Sequence, residues 1–194
     1  NNTAVGYAAL FSSTTSSENV AIGASALADQ TTGSNNVAVG RATLTNNTTA
    51  GSNTAVGHEA GFTNITSQYN AFFGRQAGYY ATGGANTFIG KQAGVAVTSG
   101  GGNTILGRYN GNQGGLDIRT SSNNIVLSDG DGNPRVHVNS NGQAVVGSSS
   151  YQGIDNGTNL GVGIQSIGRF VTCTTGGGNV FEFNIQGTGG VGTI

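Results

Sequence analysis

Apolar and polar positions along the first 111 residues follow one recurring order, Asn-x-x-(aliphatic or aromatic)-Gly. The glycines are Gly6, Gly23, Gly40, Gly57, Gly74, Gly90 and Gly107, spaced 17, 17, 17, 17, 16 and 17 residues apart. Four residues before them stand Asn2, Asn19, Asn36, Asn53, Asn70, Asn86 and Asn103. One residue before them stand Val5, Ile22, Val39, Val56, Phe73, Ile89 and Leu106. Three residues after comes Ala9, Ala26, Ala60, Ala77 or Ala93, with Thr43 and Asn110 as exceptions. Four residues after comes Leu10, Leu27 or Leu44 in the first three repeats, then Gly61, Gly78, Gly94 and Gly111. Self-similarity held in register at a fixed period marks a solenoid whose rungs bury their faces against one another.

Each repeat predicts one rung. Thr3-Ala4-Val5 and Val20-Ala21-Ile22 read as short strands with side chains alternating between two faces. Glycine then allows positive φ or close backbone approach and ends the strand. The variable stretches, such as 11–18, 28–34 and 45–52, are rich in Ser, Thr, Asn and Gly and read as loops. The single 16-residue spacing falls across the loop 79–85. The column one before Gly is expected to fill the coil. The column two before Gly (Ala4, Ala21, Ala38, Ala55, Phe72, Phe88 and Ile105) is then expected to point outward, and its apolar character predicts that a second chain covers it.

The string Asn-Val-Ala-Ile-Gly-Ala-Ser-Ala-Leu at residues 19–27 resembles the head repeat of YadA-type trimeric autotransporter adhesins. Asn-Thr-Ala-Val-Gly-Tyr-Ala-Ala-Leu at residues 2–10 resembles the 17-residue version found in bacteriophage tail fibres. The resemblance covers residues 1–111, and the repeat length favours the tail-fibre version. It implies parallel β-rolls packed three to a fibre, with the outward column Ala4, Ala21, Ala38, Ala55, Phe72, Phe88 and Ile105 as the trimer interface, acting as shafts or adhesive heads.

After Gly111 the repeat stops and the texture changes. Segments 124–128, 135–138 and 144–147 read as short strands separated by turn signals at 129–134 and 139–142. Residues 123–147 resemble the strand-rich region of phage tail fibres and tailspikes that carry a C-terminal chaperone. A polar linker is expected at 148–159, and three more strands at 160–165, 169–173 and 180–185. The expected organisation is a seven-rung β-roll at 1–115, a hairpin region at 116–147, the linker, and a C-terminal β segment at 160–194. The expected fold is therefore all-β: a parallel β-solenoid of 16–17-residue coils in a trimeric fibre, with a small strand-rich segment after it. A chain that enters its array at the first residue is expected to be a piece of a longer fibre.

Composition narrows the classes further. Of 194 residues, 36 are Gly, 23 Asn and 23 Thr, so helical bundles are excluded by poor helix formers and by missing helix-period runs. Charged residues are 8% and the net charge is −1, which gives no basic footprint for nucleic acid and no polybasic membrane patch. No stretch approaches the ~20 apolar residues of a membrane span.

Candidate chemistry is sparse. Asp129, Asp131 and Asn133 stand at i, i+2 and i+4, as in the first half of a calcium loop, but Pro134 and Ser140 occupy the places of its Gly and Glu. A turn is the preferred reading. Arg41, His58, Arg75, Lys91 and Arg108 follow their repeat glycines and stack into a cationic column, read as solvated side chains in preference to a site for a sulfated or phosphorylated glycan. The Asn column reads as a stacked amide ladder. Cys173, His58 and His137 have neither nucleophile partners nor metal-ligand spacing. Five Asn-x-Ser/Thr sequons begin at Asn1, Asn46, Asn47, Asn64 and Asn156.

Hexapeptide-repeat acyltransferases repeat their motif every six residues, ice-binding solenoids need an unbroken Thr column, and glycan-cleaving tailspikes need paired carboxylates. The chain shows none of these. The expectation is a non-enzymatic tail-fibre shaft or receptor-binding segment in a virion tail. The alternative is a bacterial adhesin or self-assembling extracellular fibril. In either case no cofactor, nucleic acid or membrane is expected. The partners would be further copies of the chain and a host-surface glycan or protein.

Overall fold

The computed structural model describes residues 1–146 and, beyond them, three short strands. Seven parallel strands follow one another at the repeat period: β1 (Thr3–Val5), β2 (Val20–Ile22), β3 (Val37–Val39), β4 (Thr54–Val56), β5 (Ala71–Phe73), β6 (Thr87–Ile89) and β7 (Thr104–Leu106). Each pairs with the next in unbroken register, as in Ala38↔Ala55, Ala55↔Phe72 and Phe72↔Phe88. The coil is bonded on its far side as well, where Leu27 N–H donates to Thr43 O and Gly78 N–H to Ala93 O. Every described regular element is a strand, and the array is a β-solenoid.

The stack does not stop at the last repeat glycine. A two-strand excursion, β8 (Asn112–Gln113) and β9 (Leu116–Asp117), leaves the coil, and β10 (Ile125–Ser128) returns to pair parallel with β7. β11 (Pro134–Val138) and β12 (Ala144–Val146) then continue the sheet antiparallel. The hairpin region expected at 116–147 is thus a continuation of the same sheet. Within the three expected C-terminal strands lie β13 (Gly163–Ile164), parallel to β12, and the antiparallel pair β14 (Phe170–Thr172) and β15 (Glu182–Asn184). The expected linker at 148–159 and Cys173 lie outside the described residues.

The structure inverts the expected inside and outside of the strand. Ala21, Ala38, Ala55, Phe72, Phe88 and Ile105 are fully buried inside their own chain, and only Ala4 of the first rung is exposed. The column before Gly faces out, with Val5 57%, Ile22 40%, Phe73 39%, Ile89 41% and Leu106 49% exposed. The column assigned to the trimer interface is therefore the coil core. Alternation could not decide, because both columns are apolar; the decisive quantity is volume across a thin coil. The first three rungs have Ala on the strand and Leu opposite (Leu10, Leu27, Leu44), and the Phe rungs have Gly opposite. The fourth rung keeps Ala55 but already has Gly61, whose Cβ would stand 2.8 Å from the Phe72 ring of the next rung. A Cβ on Gly78 would lie 2.6 Å from the Phe72 ring, and one on Gly94 2.5 Å from the Phe88 ring. The switch from Leu to Gly compensates the switch from Ala to Phe, and no wider axial gap is involved. Phe72 and Phe88 stack with centroids 5.4 Å apart.

The repeat glycines do what their recurrence implies. Gly57 has φ +136°, and a Cβ there would stand 2.4 Å from the Gly74 carbonyl oxygen of the next rung. Only glycine permits both that torsion and that approach.

Candidate functional site

The Asn column is a buried ladder. The backbone N–H of each Asn donates to the side-chain Oδ1 of the Asn one rung earlier, at 2.9–3.0 Å, from Asn19 on Asn2 through Asn36, Asn53, Asn70, Asn86 and Asn103. Most of the Nδ2 groups close their own coil on a loop carbonyl, for example Asn36 on Ala50 O at 2.9 Å and Asn53 on Ser67 O at 3.0 Å. Asn70, in the rung shortened by one residue, leaves its Nδ2 without a partner, while Gly83 O accepts from Asn86 instead. The column therefore binds its own backbone and offers nothing to a ligand. An eighth member, Asn124, joins through Asn103 Oδ1 at 2.9 Å. The 21-residue spacing hides it, although Asn-Ile-Val-Leu keeps the repeat signature.

His137 closes the ladder. It pairs with Val126 in the core line of the sheet, and its Nε2 lies 3.1 Å from Asn124 Oδ1, an acceptor, so Nε2 carries the hydrogen. Burial pushes its pKa below the ordinary histidine value. Tyr109 caps the core nearby, donating its hydroxyl to Leu116 O at 2.7 Å, and burial, with Asp117 adding to it, raises its pKa. The cleft lined by Leu116, Pro134, His137 and Val145 holds about 10 Å³, room for roughly one water molecule.

Asp129 is a turn former. One oxygen accepts from the N–H groups of Asp131 and Asn133 at 3.0 and 2.9 Å, and the other accepts from Arg135 Nε at 2.9 Å. The Asn133 N–H, assisted by Arg135, depresses its pKa to about 2. The Asp131 side chain is exposed and Asn133 turns its amide onto Asp129, so the three residues are joined by turn hydrogen bonds. Among the described residues no group of three or more His, Cys, Asp and Glu converges. Of the sequons, Asn47 and Asn64 are fully buried, and Asn156 lies outside the described residues.

Two surfaces remain. The first is the outer face of the large sheet. Its columns are Val5, Ile22, Val39, Val56, Phe73, Ile89, Leu106, Leu127, Val136 and Val146, and beside them Thr3, Val20, Val37, Thr54, Ala71, Thr87, Thr104, Ile125, Val138 and Ala144. Neither column holds a charged residue over ten strands. At ~4.8 Å per strand the face runs about 43 Å.

The second surface is the turn after each glycine. The N–H of Glu59 donates to Arg41 O, that of Gln76 to His58 O and that of Gln92 to Arg75 O, which fixes the cation-bearing residues at the rung spacing. Arg41 Nη1 donates to His58 Nε2 at 2.7 Å, and Glu59 lies 4.0 Å from Arg41. Arg75, Lys91 and Arg108 are exposed and, among the described residues, have neither an ion pair nor a side-chain hydrogen bond. Unit charges one rung apart repel by about 0.9 kcal/mol even at the dielectric constant of water. Alongside, Gln92 Nε2 donates to Gln76 Oε1 at 3.2 Å and Gln76 Nε2 to Glu59 Oε2 at 2.9 Å. Phe62 and Tyr79 stack on adjacent rungs at 5.0 Å and 8°, with Tyr80 edge-on to Tyr79 at 4.7 Å.

No family model, curated protein or solved structure matches the chain.

Proposed function

We propose that the chain is a non-enzymatic shaft or receptor-binding segment of a tail fibre, assembled as a homotrimer through the outer face of its large sheet. The observation that carries this reading is the uncharged apolar face described above. Its run of about 43 Å is long and continuous for a patch left in water. A partner staying in register along it must repeat the same rung rise, and a second copy does. No charge on the face needs a complement, so identical columns can meet. Three copies rather than two follow from the resemblance of residues 2–10 and 19–27 to trimeric fibre repeats. In this reading the interface residues are Val5, Ile22, Val39, Val56, Phe73, Ile89 and Leu106.

Light scattering on two variants tests it. Ile89→Asp puts a carboxylate in the apolar column while leaving the core residue Phe88 in place, and should separate the copies. Thr82→Asp, on an exposed loop of the same coil, should leave the mass unchanged. An Ile89→Asp chain with the wild-type mass would refute the interface.

A further inference from the structure

We infer that the turn surface of rungs three to seven is a binding site for a linear anionic glycan, one carrying sulfate, phosphate or carboxylate groups along its length. The inference deepens the attachment reading above by naming the receptor's chemistry. Four of the seven Lys and Arg residues of the whole chain lie in this one column: Arg41, Arg75, Lys91 and Arg108. The other two described, Arg119 and Arg135, are held by Asp117 and Asp129. Cations that serve only solubility work as well when interspersed with acids, yet among the described residues a single acid, Glu59, touches the column.

Turn hydrogen bonds hold Arg41, His58, Arg75 and Lys91 at a pitch of about 4.8 Å, and Gly107 N–H donating to Ile89 O sets Arg108 on the next rung, each step within the ~8 Å screening length at physiological salt. Neighbouring cations therefore add their fields, and a chain of anions laid along the fibre axis relieves their repulsion. Beside them, the Glu59–Gln76–Gln92 chain supplies aligned oxygens and amide hydrogens of the kind that pair with sugar hydroxyls. Single-stranded nucleic acid fits less well. It needs open aromatic platforms, whereas Phe62 and Tyr79 spend ring faces on each other.

The test is a set of binding measurements on the 194-residue chain with immobilised heparin, polygalacturonate, dextran and oligodeoxythymidylate, each at low and at physiological salt, with mass recorded in the same samples. The expected result is binding to heparin or polygalacturonate that weakens with salt, the stronger of the two identifying sulfate or carboxylate as the preferred group. Dextran should not bind. Neutralising Arg75, Lys91 and Arg108 together to Gln should weaken binding about tenfold. Glu59→Gln should strengthen it, an effect that a loss of structure would not produce. Failure of both anionic glycans to bind at low salt, a triple variant that binds like wild type, or equal binding of oligodeoxythymidylate would overturn the inference. A trimer that ignores both glycans leaves the fibre reading intact. A monomer that binds them supports this site and refutes the fibre.

Discussion

At the scale of the residue, each rung is specified by a few compensating choices. Leu10, Leu27 and Leu44 adopt φ near +50°, a left-handed conformation that costs a non-glycine residue roughly 1–2 kcal/mol. They hold it because their side chains fill the coil opposite Ala. Where Phe72 fills the coil from the strand, Gly78 takes that torsion without a side chain. Phe72→Ala should therefore cost about 3–5 kcal/mol by leaving a cavity, and Gly78→Leu should also destabilise by overpacking. The two together should recover most of the loss, which urea unfolding of the four chains checks; strict additivity would contradict the exchange. Asn53→Ala removes the acceptor for the Asn70 N–H and the donor to Ser67 O, at about 1–3 kcal/mol for each buried group left unpaired. His137 gives a pH signature. Its folded pKa lies below the unfolded value near 6.5, so the unfolded chain takes up the proton first and stability falls as pH drops below about 6.5. Melting midpoints should fall between pH 7.5 and 5.5, and His137→Gln should flatten that slope. Asp129 acts at lower pH: its depressed pKa stabilises the turn above about 4, and that contribution disappears as pH falls toward 2.

At the scale of the element, much was legible because the repeat is strict. The seven strands, their parallel stacking and the amide ladder follow from the Asn and Gly columns at one period. The direction of each strand's two faces did not follow, since Ala-Phe-Phe or Thr-Ile-Leu buries well either way. The pairing of Phe72 with Gly78 and Phe88 with Gly94, and of Ala with Leu in the first three rungs, held that information as a correlation between positions six residues apart, with Gly61 opposite Ala55 making room for Phe72 of the next rung. Continuation of the sheet past Gly107 was hidden by the β8–β9 excursion, which stretches the Asn spacing to 21, and by Ser128 in the place of the next glycine. The candidate calcium residues resolved into turn chemistry because the Asp129 carboxylate is taken by its own loop. Stability in such a stack resides in contacts between neighbouring rungs. Hydrogen exchange should accordingly be slow at the strand amides Val37, Thr54 and Ala71, which donate to the buried Asn rung, and fast at Thr49 and Thr66 in the exposed loops. Equal protection of both sets would contradict the stack.

At the scale of the whole molecule, the chain presents an uncharged apolar face along its sheet and a single-signed cationic stripe on the turn beyond the glycine column. Between them stand only the repeat glycines, so a fibre built on the first face would carry the second along the margins of each contact. A fibre requires that the apolar face be covered by copies of itself. Sedimentation equilibrium of the wild-type chain measures this without any substitution. The wild-type chain should sediment as a single species of three times 19.3 kDa, whereas a species of 19.3 kDa that persists as concentration rises would rule out self-association through this face.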